Sequence, residues 1–150
     1  MNRTDAEKVL IRRCGTALTA VGLDGATATG ANPDLNDPIW FALDRLGYGV
    51  VSISAVADPD IEAVSTEDYA PFLDLAELRT LETTLNAATS LVDITVGPRR
   101  ESLGQLSERL EKLIAAKRAV IYREYGDLFG AGQEGGTFSV GFQEDGKNVY

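Results

Sequence analysis

Side chains able to carry chemistry are sparse in this 150-residue chain, and histidine is absent. Without an imidazole there is no Ser-His or Cys-His activation of a nucleophile and no general base titrating near neutrality. The single cysteine, Cys14, rules out the ordinary zinc sites, which need several nitrogen or sulfur ligands, and any internal disulfide. Carboxylates remain. Glu108 and Glu111 form an E-x-x-E pair, with Glu77 and Glu82 upstream, and carboxylates on facing helices can hold magnesium. Arg109 and Lys112 are interleaved with the later pair, and the glutamates fall off the apolar stripe, so a solvated helix face is the plainer reading.

Two further motifs resemble binding sites. "GAGQEG" at residues 130–135 matches G-x-G-x-x-G, but a helix pattern precedes it and a strand pattern follows, the reverse of what a dinucleotide-binding turn requires. A flexible hinge accounts for it. "NPDLND" at residues 32–37 opens like a calcium loop, yet Pro38 occupies the next alternating ligand position and no terminal glutamate follows. It reads as a turn followed by a helix cap. Cys14 sits between Leu10 and Leu18 at helical spacing and reads as a small buried hydrophobe.

The elements that would position these residues are mainly helical. Thr4-Asp5-Ala6-Glu7 reads as a capping box, and Val9, Leu10, Cys14, Ala17, Leu18 and Val21 follow at spacings of three and four. "GLDG" at residues 22–25 stops that helix, with Gly22 and Gly25 both able to take positive φ. Asp37-Pro38 is expected to cap and open a second helix, carrying Ile39, Ala42, Leu43 and Leu46 and ending at Gly47. Trp40 and Phe41 are adjacent, so they cannot both face inward ideally. "YGVVSISAV", residues 48–56, alternates like one short strand or extended segment, and a helical turn is expected near residues 61–64.

Two long helices follow. Leu78, Leu81, Leu85, Ala88 and Val92 repeat within residues 70–96, and Leu103, Leu106, Leu110, Leu113, Ile114 and Ile121 within residues 101–125. Gly97-Pro98 breaks the run, predicting an antiparallel αα-hairpin with its corner at residues 97–100. Beyond Gly126 lies a Gly-rich arm, residues 127–150, in which Phe138, Val140 and Phe142 share one face of a strand expected over 137–142, and the chain closes on Tyr150. Such a strand is not stable alone; it either folds back or joins another chain's sheet. The fold class expected is therefore mainly α: a small helical bundle over residues 1–126, a long hairpin, one short extended segment, and the arm.

The charge balance, 14 basic residues against 23 acidic, disfavours general nucleic-acid binding. Its distribution is more informative. Residues 61–97 hold seven acidic side chains and only Arg79 as a base, whereas residues 98–125 hold seven basic and four acidic. Helices of opposite sign suit one another as packing partners. Arg99 and Arg100 stand at the hairpin corner, either capping carbonyls and pairing with Asp93 and Glu101 or meeting an acidic partner surface. Lys117 falls inside the long helix's stripe, a position tolerated where a seam nears solvent or an oligomer interface. No run approaches the ~18 apolar residues of a membrane span, and the first fifteen residues lack the pattern of a secretory signal.

The stretch from Leu73 to Gly126, and "VDITVGPRRESLGQL" above all, resembles the head–tail connector (adaptor) proteins of tailed bacteriophages. The resemblance implies a non-enzymatic virion subunit, made in the host cytoplasm and placed at the neck, with no catalytic residue, cofactor or metal. It further implies a ring, commonly twelvefold, that joins the portal protein to a stopper or tail-completion protein. DNA would pass through its channel without specific binding, as an acidic lining allows. The residues expected at partner or oligomer interfaces are Arg99, Arg100, Lys117, Phe138, Val140, Phe142 and Tyr150. Two other classes fit the residues: a cytosolic helical adaptor or assembly chaperone, and a carboxylate-dependent magnesium nucleotide hydrolase.

Overall fold

A computed structural model describes residues 1–50, 56–126 and 128. Among them the order is α1 (Arg3–Ala20), a 3-10 turn (Pro33–Leu35), α2 (Asn36–Arg45), α3 (Asp58–Glu62), a second 3-10 turn (Thr66–Asp68), α4 (Tyr69–Ile94) and α5 (Pro98–Tyr125). The mainly helical class and the long hairpin stand as expected. Of the extended segment expected over residues 48–56, residues 48–50 and 56 are described and form no strand; residues 51–55, the hinge at 130–135, and the arm with its strand at 137–142 lie outside the described residues.

α4 is the central element. α1, α2 and α5 all pack on it, which its composition permits because apolar residues occupy more than one face. Phe72, Leu75 and Leu78 of α4 are fully buried with Leu10 and Leu18 of α1, Leu35, Ile39 and Leu43 around α2, and Leu110 and Ile121 of α5. Thr80 and Thr84 are also buried in α4, and each is satisfied within the helix: Thr80 Oγ1 donates to the Ala76 carbonyl at 2.8 Å and Thr84 Oγ1 to the Thr80 carbonyl at 2.7 Å.

Helix termini differ from the sequence reading in instructive ways. The N-cap of α1 is Asn2, not Thr4: its side chain accepts from the Asp5 N–H at 2.9 Å, and Asp5 Oδ2 accepts from the Asn2 N–H at 3.2 Å. The same reciprocal logic holds, shifted two residues earlier, because Glu7 is engaged elsewhere. α2 grows directly out of the 3-10 turn at Asn36, so Asp37 is not its cap; Asn32 caps the turn by accepting from the Asp34 N–H at 3.0 Å. Pro38 is tolerated because the first-turn N–H groups have no helical acceptor. α5 starts at Pro98, so the hairpin turn is residues 95–97 rather than 97–100, and Arg99 and Arg100 belong to the helix. The helical turn expected near residues 61–64 forms earlier, as α3.

Both helix stops fall where glycine was expected. Gly22 and Gly47 take φ of 85° and 87°, and the paired bonds Leu23 N to Leu18 O and Tyr48 N to Leu43 O complete the left-handed closure of α1 and α2. Gly25 does not share this conformation. Its smallness matters for another reason: the loop after α1 turns back over Gly15 inside that helix, and a Cβ on Gly25 would lie 2.1 Å from the Gly15 carbonyl oxygen. That obstacle is backbone, which cannot rotate away. Gly25→Ala is therefore expected to destabilise the chain by about 1–3 kcal/mol, the usual cost of overpacking, read as a lower urea midpoint; an unchanged midpoint would show that the loop can lift off α1.

Candidate functional site

Three polar assemblies organise the molecule, and the innermost is a buried ion pair. Arg3 and Glu7, at i and i+4 on α1, are 3% and 0% exposed at their side chains and meet at 2.9 Å. Neither is left with an idle group. Arg3 donates Nη1 to the Val56 carbonyl at 2.9 Å and Nη2 to the Asn32 carbonyl at 2.7 Å, while its backbone N–H donates to Asp58. Glu7 accepts the Gly30 and Asn32 N–H groups at 2.7 and 2.9 Å. Asn32 in turn donates to the carbonyls of Asp24 and Thr27. The motif "NPDLND" is thus the anchor of a loop. These partners offset the desolvation that an ion pair so deep would otherwise suffer.

The second assembly lies at the open end of the hairpin, where α1, α4 and α5 meet. Lys117 Nζ sits 3.0 Å from Asp74 and 3.1 Å from Glu77, Arg13 contacts the same two carboxylates at 3.2 and 2.7 Å, and the Tyr125 hydroxyl donates to Asp74 at 2.8 Å. Burial alone would raise the Asp74 carboxyl, but hydrogen bonds from Lys117 and Tyr125, then the Lys117 charge and the Arg13 bond, hold it below the usual carboxylate range. Burial would likewise lower Lys117, and its two carboxylate partners raise it instead. Desolvation and the bond to Asp74 push the Tyr125 phenol up to about 12. Further along the hairpin, Glu82 pairs with Arg118 across α4 and α5, and Arg79 pairs with Asp37 at 2.8 Å. The opposite-sign helices do meet through their charges.

The third assembly is the hairpin tip. Burial along α4 thins beyond Ala88: Leu91 and Val92 are half-buried, and Ile94 and Val96 are 78% and 85% exposed. Arg99 and Arg100 are exposed on the first turn of α5 beside them. Neither guanidinium has a carboxylate within ion-pair distance among the described residues, although Asp93 and Glu101 are close in sequence. Two cations at a helix N-terminus also oppose its macrodipole. Apolar surface left in water forgoes about 1.5–3 kcal/mol for a fully exposed aliphatic side chain. The tip therefore combines two features that folding alone does not favour.

The remaining sequence candidates are either engaged within the chain or lie outside the described residues. Lys117 has its charge partners in its own chain. Trp40 donates Nε1 to the Val50 carbonyl at 3.1 Å, and the buried Phe41 ring lies under the guanidinium groups of Arg45 and Arg79 at 5.2 and 4.9 Å. Cys14 is buried, and desolvation followed by the Glu77 charge raises its thiol to about 12. Glu108 and Glu111 are exposed on α5, whereas Glu77 and Glu82 are held by cations. Among the described residues no group of three or more His, Cys, Asp or Glu side chains is placed to hold a metal ion, and no helix is long and apolar enough to cross a membrane. Phe138, Val140, Phe142 and Tyr150 lie outside the described residues. The chain matches no known family model, and no curated protein or solved structure is significantly similar to it.

The sequence reads Glu7 as part of a capping box and does not couple it to Arg3, yet a signal for the pair is present. They continue the stripe Arg3, Glu7, Leu10, Cys14, Leu18, so a charged i, i+4 pair stands where core residues belong. Glu7→Gln is expected to destabilise the fold by about 3–5 kcal/mol, because it leaves Arg3 charged, buried and short of an acceptor; chemical denaturation measures this, and a loss under 1 kcal/mol would mean water enters the site.

The second assembly predicts a pH profile. Asp74, lowered on folding, adds stability above its unfolded value near pH 3.9, and this is lost as pH falls through the folded value. Lys117 and Tyr125, both raised, add stability below about pH 10 that is lost as pH rises through their folded values. The stability difference between wild type and Asp74→Asn should be greatest between about pH 5 and 9 and shrink towards both extremes. A difference independent of pH would show that Asp74 acts by packing alone.

Proposed function

We propose that this chain is a structural subunit of a phage neck: a head–tail connector (adaptor) protein that assembles into a ring, twelvefold as in the proteins it resembles, between the portal and a stopper or tail-completion protein. Its channel would pass DNA without gripping it. The observation that carries the reading is the hairpin tip, where Ile94, Val96, Arg99 and Arg100 lie together in solvent at the end of two long helices tied to each other at their base. A subunit whose work is assembly needs such a surface, with its apolar centre and charged rim. The tip also lies within "VDITVGPRRESLGQL", the stretch that carries the family resemblance.

Gold labelling of this protein on purified tailed-phage particles tests the proposal directly. Label at a single vertex, between head and tail, is the expected outcome. Unlabelled particles with all of the protein in the soluble fraction would overturn it and return the chain to the cytosolic adaptors or assembly chaperones.

A further inference from the structure

The two ends of the long hairpin are unlike. The tip exposes Ile94, Val96, Arg99 and Arg100. At the opposite end, α3 and the 3-10 turn that leads into α4 form an acidic shoulder, containing Asp58, Asp60, Glu62, Glu67 and Asp68 with no basic residue between them. Three of these acids already have work inside the subunit. Asp58 accepts from the Arg3 N–H, Asp60 from the Ala57 N–H, and Asp68 from the Tyr48 and Ser65 hydroxyls. Glu62 and Glu67 are exposed and have no ion pair among the described residues, and the apolar surfaces of Ala57, Pro59 and Ala63 are exposed around them.

α4 runs from this shoulder to the tip, and its 26 residues span about 39 Å at 1.5 Å each. No side chain bridges that distance, so the two surfaces cannot meet in one molecule. We propose that they meet between molecules: the tip of one copy docks on the acidic shoulder of the next, with Ile94 and Val96 covering Pro59 and Ala63, and Arg99 and Arg100 pairing with Glu62 and Glu67. The N-terminal partial charge of α5 adds to the arginines in facing the acids, while Asp93 and Glu101 flank the contact at its rim. This contact rests on the ring reading above and specifies the interface it uses. It is heterologous, one unlike patch per end, and a heterologous contact repeats from copy to copy until it closes into a ring or continues as a filament.

Sedimentation velocity of the full chain tests the contact without any phage component. In low salt the wild type should associate as its concentration rises from micromolar to millimolar, and added salt should weaken the association. The double variants Arg99→Glu/Arg100→Glu and Glu62→Arg/Glu67→Arg should each associate at least about tenfold more weakly, because like charges then face one another. Their helical circular dichroism and melting should stay near wild type. An equimolar mixture of the two restores complementary charges at every contact and should associate again. Val96→Glu alone, which leaves the arginines in place, should also weaken association. A wild type that remains monomeric at millimolar concentration, or folded variants that associate undiminished, or a mixture that fails to recover, would each overturn the contact. Self-association of this pattern in a protein absent from phage necks would instead retain the contact and remove the connector role.

Discussion

The fold depends on one decision near the N-terminus: a full positive and a full negative charge are placed where the core begins. An ion pair taken out of water is unfavourable unless every donor and acceptor around it is answered. Arg3 and Glu7 therefore require the Asn32 carbonyl and N–H, the Gly30 N–H and the Val56 carbonyl to be in fixed places. Two stretches without long regular structure, the loop after α1 and the approach to α3, are fastened to α1 by that demand. What reads in the sequence as irregular chain is held to α1 by hydrogen bonds with buried charged side chains. The close passage of Gly25 over Gly15 belongs to the same arrangement, since the loop must lie flat on α1 to present Gly30 and Asn32 to the carboxylate.

The hairpin follows a different logic. Its faces are joined by apolar side chains in the middle and by charge at the open end, where Asp74 and Glu77 of α4 share Lys117 of α5 and Arg13 of α1. Pairs of this kind, half-buried and still near solvent, each contribute only about 0–1 kcal/mol. Their value is in register: an acidic helix and a basic helix that meet through several pairs cannot slide by one turn without breaking them. Thr and Ser side chains along α4 return their hydroxyls to carbonyls of the preceding turn, which keeps polar positions compatible with a helix surrounded on several sides.

Much of this was legible in the residues. The 3-4 spacing of leucines located α4 and α5, Gly97-Pro98 located their separation, and Gly22 and Gly47 located two helix ends, because each of these signals is local and dictated by backbone geometry. Boundaries were harder. Thr4 and Asp37 have the right side chains for caps, but Asn2 caps α1 because tertiary partners claim Glu7, and α2 has no side-chain cap because it continues from the 3-10 turn that Asn32 caps. The Arg3–Glu7 centre is non-local: the partners of its two side chains lie 23 to 53 residues away along the chain, and no spacing rule couples them. The tip was legible in part. Arg99 and Arg100 were evident, but the exposure of Ile94 and Val96 depends on where α1 and α2 stop covering α4.

Fixing a hairpin at one end makes it a lever. From Asp74 to Ile94 the chain climbs 20 residues, about 30 Å at 1.5 Å per residue, so a rotation of about 5° at the charged base carries the tip sideways by about 3 Å, close to the width of a side chain. The Asp74–Lys117–Arg13 centre therefore does more than close two helices together. With the packing of α1 and α2 on α4, it bears on the direction in which a distant surface points, and in any assembly built from repeated copies that direction, multiplied around the circuit, would become curvature.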